Sequence, residues 1–338
     1  MKNKIAFRVD ISSKIGSGHL KRLQYLEEKL KIKKIFWFVS GEKKLIDFFL
    51  KEKKNVIRIK NETTVYKTLK KEKINLIVTD ISHNKNILEK KINKIQNFYK
   101  KKNIFLVSFD DPRHIILSDI SIIPYDYERK KINIVNKNCK IFLGRKYIFF
   151  SKKLEHYSGK DKKISRQIFK VLISISGTDF QNIGNEILNL IKDIGIHITI
   201  ISGKKINSKK INIRRLKKIK YLNFTNSMEK LIFDADVAIV GEGLIKYETS
   251  ILNTPTLLIH QNDTKSQLIK RFLKHGTCKS LGLYDKKYAE LFKKKIISYF
   301  KNYNLRLNNY KNAKKKFYAK DMIKGQNKII RMIKSKLF

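Results

Sequence analysis

Short apolar runs alternate with amphipathic helical stretches along most of the chain, and this alternation constrains the fold more than any other feature. Parallel strands need a long crossover, usually a helix, so the pattern predicts an α/β protein with parallel sheets. In the first half, strands are expected over Ile5–Val9, Ile35–Val39, Asn55–Ile59, Leu76–Thr79, Ile104–Phe109 and Ile120–Ile123. Helices are expected over Lys43–Lys53, Val65–Lys73 and Lys85–Lys101. A second set of strands is expected over Lys170–Ser174, Ile198–Ile201, Tyr221–Phe224, Val237–Val240 and Thr256–Ile259. Its intervening helices are expected over Ile183–Ile194, Met228–Asp234, Leu244–Leu252 and Ser266–Lys274.

Two such sets in 338 residues suit two domains. The stretch over residues 156–165 is polar, contains Gly159 and lacks periodicity, so it reads as the linker. The expected organisation is an N-terminal domain over 1–155, a C-terminal domain over 166–319, and a last helix over 320–338 packing back on the first. Tandem α/β domains usually bind their ligand in the cleft between them, at the carboxyl ends of the strands.

The formal charge of +48 invites a nucleic-acid partner. Lysine, however, outnumbers arginine 65 to 12, and nucleic-acid proteins lean on arginine for bidentate contacts. The abundance of Lys, Ile, Asn, Phe and Tyr beside only 3 Pro and 14 Gly matches AT-rich coding, which inflates lysine on any solvated surface. No nucleic acid is therefore expected as partner, although the charge will attract anionic membranes weakly at low salt. No apolar run approaches the length of a membrane span, and none resembles a secretory core, so no membrane anchor is expected. Cys139 and Cys278 fall in different halves with no metal-ligand spacing, which fits a reducing cytoplasm.

Chemistry gathers at the ends of strands. The first strand runs through Arg8 and Asp10 into Ser12 and Ser13, then Gly16-Ser17-Gly18-His19 opens a helix that carries Arg22. A strand, a glycine turn and a helix N-terminus favour an anionic ligand. The same positive helix end disfavours a charged imidazole, so His19 is expected neutral and able to accept a proton. The plain alternative is that the glycines relieve a tight turn and His19 merely starts a helix.

In the second half, Ser174 to Asp179 places Gly177 and the Thr178 hydroxyl after a strand, where they can contact a phosphate, cap the next helix, or do both. Gly241-Glu242-Gly243 follows a buried strand, and Glu248 lies five residues beyond Gly243. Such a turn cradles a diphosphate, and an acid there accepts ribose hydroxyls. An exposed helix acid among lysines is the alternative for Glu248. Asp110 and Asp111, ahead of Pro112, can serve a metal, an acid–base pair or a sugar hydroxyl, with a plain Asp-Pro turn as the alternative. Asp10 is a further candidate for a sugar contact. His83, His114, His156, His197, His260 and His275 show no metal spacing, but His114 and His260 stand near strand ends.

Taken in order, these motifs resemble the PseG/SpsG family. The carriers are the opening motif, the Asp110-Asp111 turn, Gly144 to Tyr147, Gly177-Thr178-Asp179, Asn226 to Leu231 with Ala235-Asp236, and Gly241, Glu248 and Pro255. The resemblance spans Phe7 to about Gly282. Members are UDP-sugar hydrolases of nonulosonate (pseudaminic acid) synthesis and related spore-coat polysaccharide proteins, similar in turn to the GT-B glycosyltransferase of peptidoglycan synthesis.

The resemblance implies a GT-B-like fold with two Rossmann-like domains whose parallel sheets face a central cleft. It implies UDP held mainly by the second domain, with the glycine turns at the diphosphate and Glu248 at the ribose, and His19 as general base on a water. Gly16, Gly18, Thr178, Gly241, Gly243 and Glu248 are accordingly expected to line the nucleotide site. Neither a metal nor a cofactor is implied. The expected reaction is hydrolysis of UDP-2,4-diacetamido-2,4,6-trideoxy-β-L-altropyranose, with UDP-sugar and water as partners. Departures from the family are Ile81-Ser82 after Asp80 where a tyrosine is usual, Ser176-Gly177 for a Gly-Gly pair, and Thr264 and Lys265 for an Asn-Gln pair. They leave open a glycosyltransferase, in which an acceptor hydroxyl replaces water. A basic nucleic-acid-binding or scaffold protein remains the alternative from another class.

Overall fold

The computed structural model describes residues 4–13, 15–81, 87–176, 179, 181–202, 218–261 and 266–337. The chain divides into two units, residues 1–151 with 320–338 and residues 152–319.

The first unit contains β1 (Lys4–Ile11), α1 (Gly18–Leu30), β2 (Lys34–Gly41), α2 (Lys43–Leu50), β3 (Val56–Arg58), α3 (Glu62–Lys71) and β4 (Leu76–Asp80). It continues with α4 (Ile87–Lys101), β5 (Phe105–Phe109), β6 (Ile120–Ile123) and β7 (Lys140–Leu143). The strands form one parallel sheet in the order β3-β2-β1-β4-β5-β6-β7. Strand order reverses between β1 and β4, the point where α/β sheets leave a crevice for ligands.

Alternation along β1 sorts its side chains by face. Phe7, Val9 and Ile11 pack with Leu20, Leu23, Leu26 and Leu30 of α1. Ala6 joins the opposite layer, with Phe38, Val65, Leu69 and Ile95. Leucines at this spacing keep one apolar stripe on α1 and make it cling to the sheet.

The second unit contains α5 (Lys152–Ser158), β8 (Lys170–Ser174), α6 (Ile183–Ile191), β9 (His197–Ile201), β10 (Ile219–Leu222), α7 (Met228–Asp234) and β11 (Val237–Gly241). It continues with α8 (Ile245–Ile251), β12 (Thr256–His260), α9 (Ser266–Leu273), β13 (Cys278–Leu283), α10 (Ala289–Lys301) and α11 (Tyr303–Lys316). Its parallel sheet has the order β10-β9-β8-β11-β12-β13, reversing between β8 and β11.

The final helix, α12 (Ala319–Lys334), belongs from Lys320 onward to the first unit. Ile329, Ile330 and Ile333 enter the α1 core, and Gln326 donates to the Ile148 carbonyl at 2.6 Å. Gly325 permits this docking, because a Cβ there would lie 2.1 Å from the Lys146 carbonyl oxygen.

The stretch read as a linker is partly helical and firmly held. Helix α5 runs into it as far as Ser158. Lys162 then donates to the carbonyls of Phe233 and Ala235, and Arg306 to those of Ser165 and Arg166. Two strands escape the sequence reading. β7 is a four-residue edge strand, and β13 carries Lys279 and Gly282 with a register shift against β12. Among the described residues no helix is long and apolar enough to cross a membrane.

Candidate active site

At the end of β1 the chain turns back on itself. Gly16 donates its N–H to the Ser12 carbonyl at 2.8 Å and adopts a φ of +79°, a region that disfavours a side chain. α1 then starts at Gly18, with no side-chain cap from Ser17 and no acid in its first turn.

His19, in that first turn, meets a partner from β4. Its Nδ1 lies 2.6 Å from Oδ1 of Asp80. Arg22, one turn on, grips the same carboxylate, with Nε 2.6 Å from Oδ2 and Nη2 2.6 Å from Oδ1. Nη1 of Arg22 donates to the Tyr125 hydroxyl at 3.3 Å, and the guanidinium lies 4.8 Å from the Phe109 ring centre.

Asp80 is fully buried, whereas the His19 side chain is 19% exposed. Burial alone pushes the Asp80 carboxyl up, but the charges and hydrogen bonds of Arg22 and His19 outweigh it and hold it below the ordinary carboxylate range. An ionised Asp80 can only accept, so Nδ1 of His19 carries the hydrogen. In a neutral ring that leaves Nε2 as the basic nitrogen. The arrangement is a base oriented by a carboxylate, with Arg22 balancing the charge.

The three aspartates considered for sugar contacts each hold partners of their own. Asp10 pairs with the buried Arg8 at 2.6 Å, and Arg8 also holds Glu62. Alternation puts both on the sheet face opposite Phe7 and Val9, hence away from α1. Asp110 is buried just past the end of β5, accepting from Ser121 at 2.6 Å, Gln96 at 3.0 Å and also Ser108. Burial raises its carboxyl above the ordinary range despite these donors. Its carboxylate anchors these donors within the first unit. Asp111 is engaged by Arg113 through both oxygens and accepts from the Arg113 N–H, the turn reading of this motif.

In the second unit, Gly177 and Thr178 lie outside the described residues. Asp179 accepts from the N–H groups of Ile183 at 3.0 Å and Gly184 at 2.9 Å, so it caps α6 itself.

The β11–α8 turn is different. At Gly241 a Cβ would lie 1.9 Å from the Ile175 carbonyl oxygen, so this close approach of neighbouring chain segments demands glycine. Gly243 is exposed and nothing lies within 4 Å of where a Cβ would stand. Lys246 Nζ reaches back to the carbonyls of Glu242 and Gly243. In a trans peptide the next N–H points opposite to the carbonyl. The N–H groups of Gly243 and Leu244 therefore face away from Lys246. Glu248 stands half-buried in the first turn of α8. Beside this turn, Nδ1 of His260 is 3.8 Å from Glu242, and its Nε2 is 2.7 Å from the Ser280 hydroxyl.

Sequence reasoning gave Asp80 and Tyr125 no role. The available signal was an acid closing the apolar strand Leu76–Asp80, since strand ends are where α/β proteins place their chemistry. Among the described residues no cluster of three or more His, Cys, Asp or Glu is disposed to hold a metal.

No family model matches the chain. The spore coat polysaccharide biosynthesis protein SpsG of Bacillus subtilis is 24% identical over 325 residues, covering 91% of this chain and 92% of that protein. An uncharacterized protein of Methanocaldococcus jannaschii is 24% identical over 291 residues, 80% of this chain, which spans only 58% of that relative's length. MurG of Acinetobacter baumannii superposes with a TM-score of 0.61 at 9% identity, covering 97% of this chain and 99% of that one. The glycosyltransferase SnogD from Streptomyces nogalater gives 0.58 at 9% identity over the whole of both chains. Anabaena HepE, in complex with UDP-glucose, gives 0.56 at 12% identity over 98% and 99%. The fold is thus GT-B-like, and the resemblance read from the motifs holds for SpsG.

Proposed function

We propose that the protein is a nucleotide-sugar hydrolase, releasing UDP from UDP-2,4-diacetamido-2,4,6-trideoxy-β-L-altropyranose or a closely related UDP-sugar. The observation that carries this reading is the 2.6 Å contact of His19 with the buried Asp80, which leaves Nε2 as the basic nitrogen. Similarity to SpsG and a fold shared with a UDP-glucose-binding protein support a UDP-sugar substrate.

Nε2 takes a proton from water as the oxygen attacks the anomeric carbon. The bond from that carbon to the diphosphate breaks, UDP departs with the electron pair, and configuration inverts. A positioned base typically contributes about 10²–10⁴-fold. N–H groups of Gly243 and Leu244 meet the charge growing on the diphosphate, and Lys246 adds a positive charge behind them. Glu248 accepts the ribose hydroxyls. Asp80 stabilises the imidazolium formed during the reaction, as the acid of a catalytic triad does.

The transfer reading keeps every role and substitutes an acceptor hydroxyl for water; the likeness to SnogD favours it. Mass spectrometry of the products from a panel of UDP- and CMP-sugars tests both. UDP and free sugar without an acceptor support hydrolysis. UDP only on adding a sugar or lipid acceptor supports transfer. No turnover of any nucleotide sugar under either condition rejects both.

A further inference from the structure

Helix α10 buries Phe292, Ile296, Tyr299 and Phe300 against the second sheet, and its opposite face lines an open groove of about 1100 Å³. Glu290, Lys293, Lys294 and Lys301 follow one another along that face, and Arg166 and Tyr303 close its far end. From Glu290 to Lys301 the helical rise makes the groove roughly 16 Å long. Four basic side chains face one acid. The groove leaves the carboxyl edge of the sheet, where Lys286 meets Glu186 at 3.7 Å. It ends at the amino edge, where Arg306 holds the carbonyls of Ser165 and Arg166 ahead of β8. Most of it therefore runs away from the β11–α8 turn.

We propose that this groove binds a linear, carboxylate-bearing saccharide chain, at a site separate from the nucleotide turn. Its length suits several spaced anions rather than one phosphate. A flat bilayer does not reach the floor of a concave groove. Stacked bases need free aromatic faces, and Tyr303 is already flanked by Arg166 at 5.4 Å and Arg306 at 5.9 Å. Ser298, Asn302 and Asn304 add hydrogen-bonding groups for sugar hydroxyls.

The test is fluorescence anisotropy with labelled oligogalacturonate, against a neutral malto-oligosaccharide and oligo(dT) of similar length. One variant carries Lys293→Glu, Lys294→Glu and Lys301→Glu. A control carries the same reversal at the exposed Lys67, Lys70 and Lys71 of the first unit. Salt-sensitive binding of oligogalacturonate is expected, weakened at least about tenfold by the groove variant and little by the control, since the interaction is local and screened. UDP-sugar turnover is expected to be equal in both variants, which separates this proposal from the hydrolase reading. Equal loss in the control, absence of binding, or tighter groove-dependent binding of oligo(dT) overturns it.

Discussion

His19 and Asp80 stand 61 positions apart in sequence, yet Nδ1 of one is 2.6 Å from Oδ1 of the other. Strand order makes the meeting. β4 pairs directly with β1, bringing Asp80 level with Val9, and α1 returns across the same face. Arg22 completes the set because it lies one helical turn beyond His19.

Replacing Asp80 with Asn should separate orientation from charge. Turnover is expected to fall by about a hundredfold, because the amide no longer fixes the tautomer or stabilises the imidazolium. Arg22 also loses its buried counter-ion, which costs on the order of 3–5 kcal/mol. Steady-state kinetics and urea titration check both, and unchanged turnover removes Asp80 from the mechanism.

The same variant carries a pH signature. Asp80 is depressed in the folded protein, so its stabilisation is complete above the ordinary carboxylate range and is lost as pH falls through the lowered value. The stability difference between wild type and Asp80→Asn should therefore shrink on acidification. A difference that stays constant down the acid limb contradicts this.

Lys162 provides the opposite case. Burial lowers its ammonium from 10.5 to about 8, with Asp236 and Asp234 opposing. Between those values the unfolded chain binds more protons, so stability from this group rises with pH across that window and is flat below it. Wild type should gain on Lys162→Met between pH 8 and 10.5 in denaturant titrations. A flat difference refutes the assignment.

The two glycines of the β11–α8 turn should respond differently. Gly241→Ala forces a Cβ against the Ile175 carbonyl oxygen and is expected to destabilise the fold. Gly243→Ala has open space and should melt like wild type, yet bind UDP more weakly by calorimetry because the methyl sits where the diphosphate approaches. Glu248→Ala should also weaken UDP binding with intact folding; unaltered affinity counts against the ribose role.

Much of the fold was legible because burial imposes a period. Ile120–Ile123, Lys170–Ser174 and Met228–Asp234 have the bounds their apolar runs predict. β13 was not legible, since Lys279 and Gly282 dilute its pattern and only pairing with β12 makes it a strand. For the site, glycine turns and a histidine at a helix start mark local chemistry that sequence displays. What sequence hides is which distant acid reaches them. Asp110, conspicuous beside Asp111, turns inward to Ser108 and Ser121, whereas the inconspicuous Asp80 reaches His19.

The most direct measurement is the initial rate of UDP release from the UDP-sugar in water alone, for wild type and His19→Ala. Wild type should release UDP without acceptor, and the variant at least about a hundredfold more slowly while binding UDP equally well. Equal rates in the two proteins would contradict the assignment of His19 as the base.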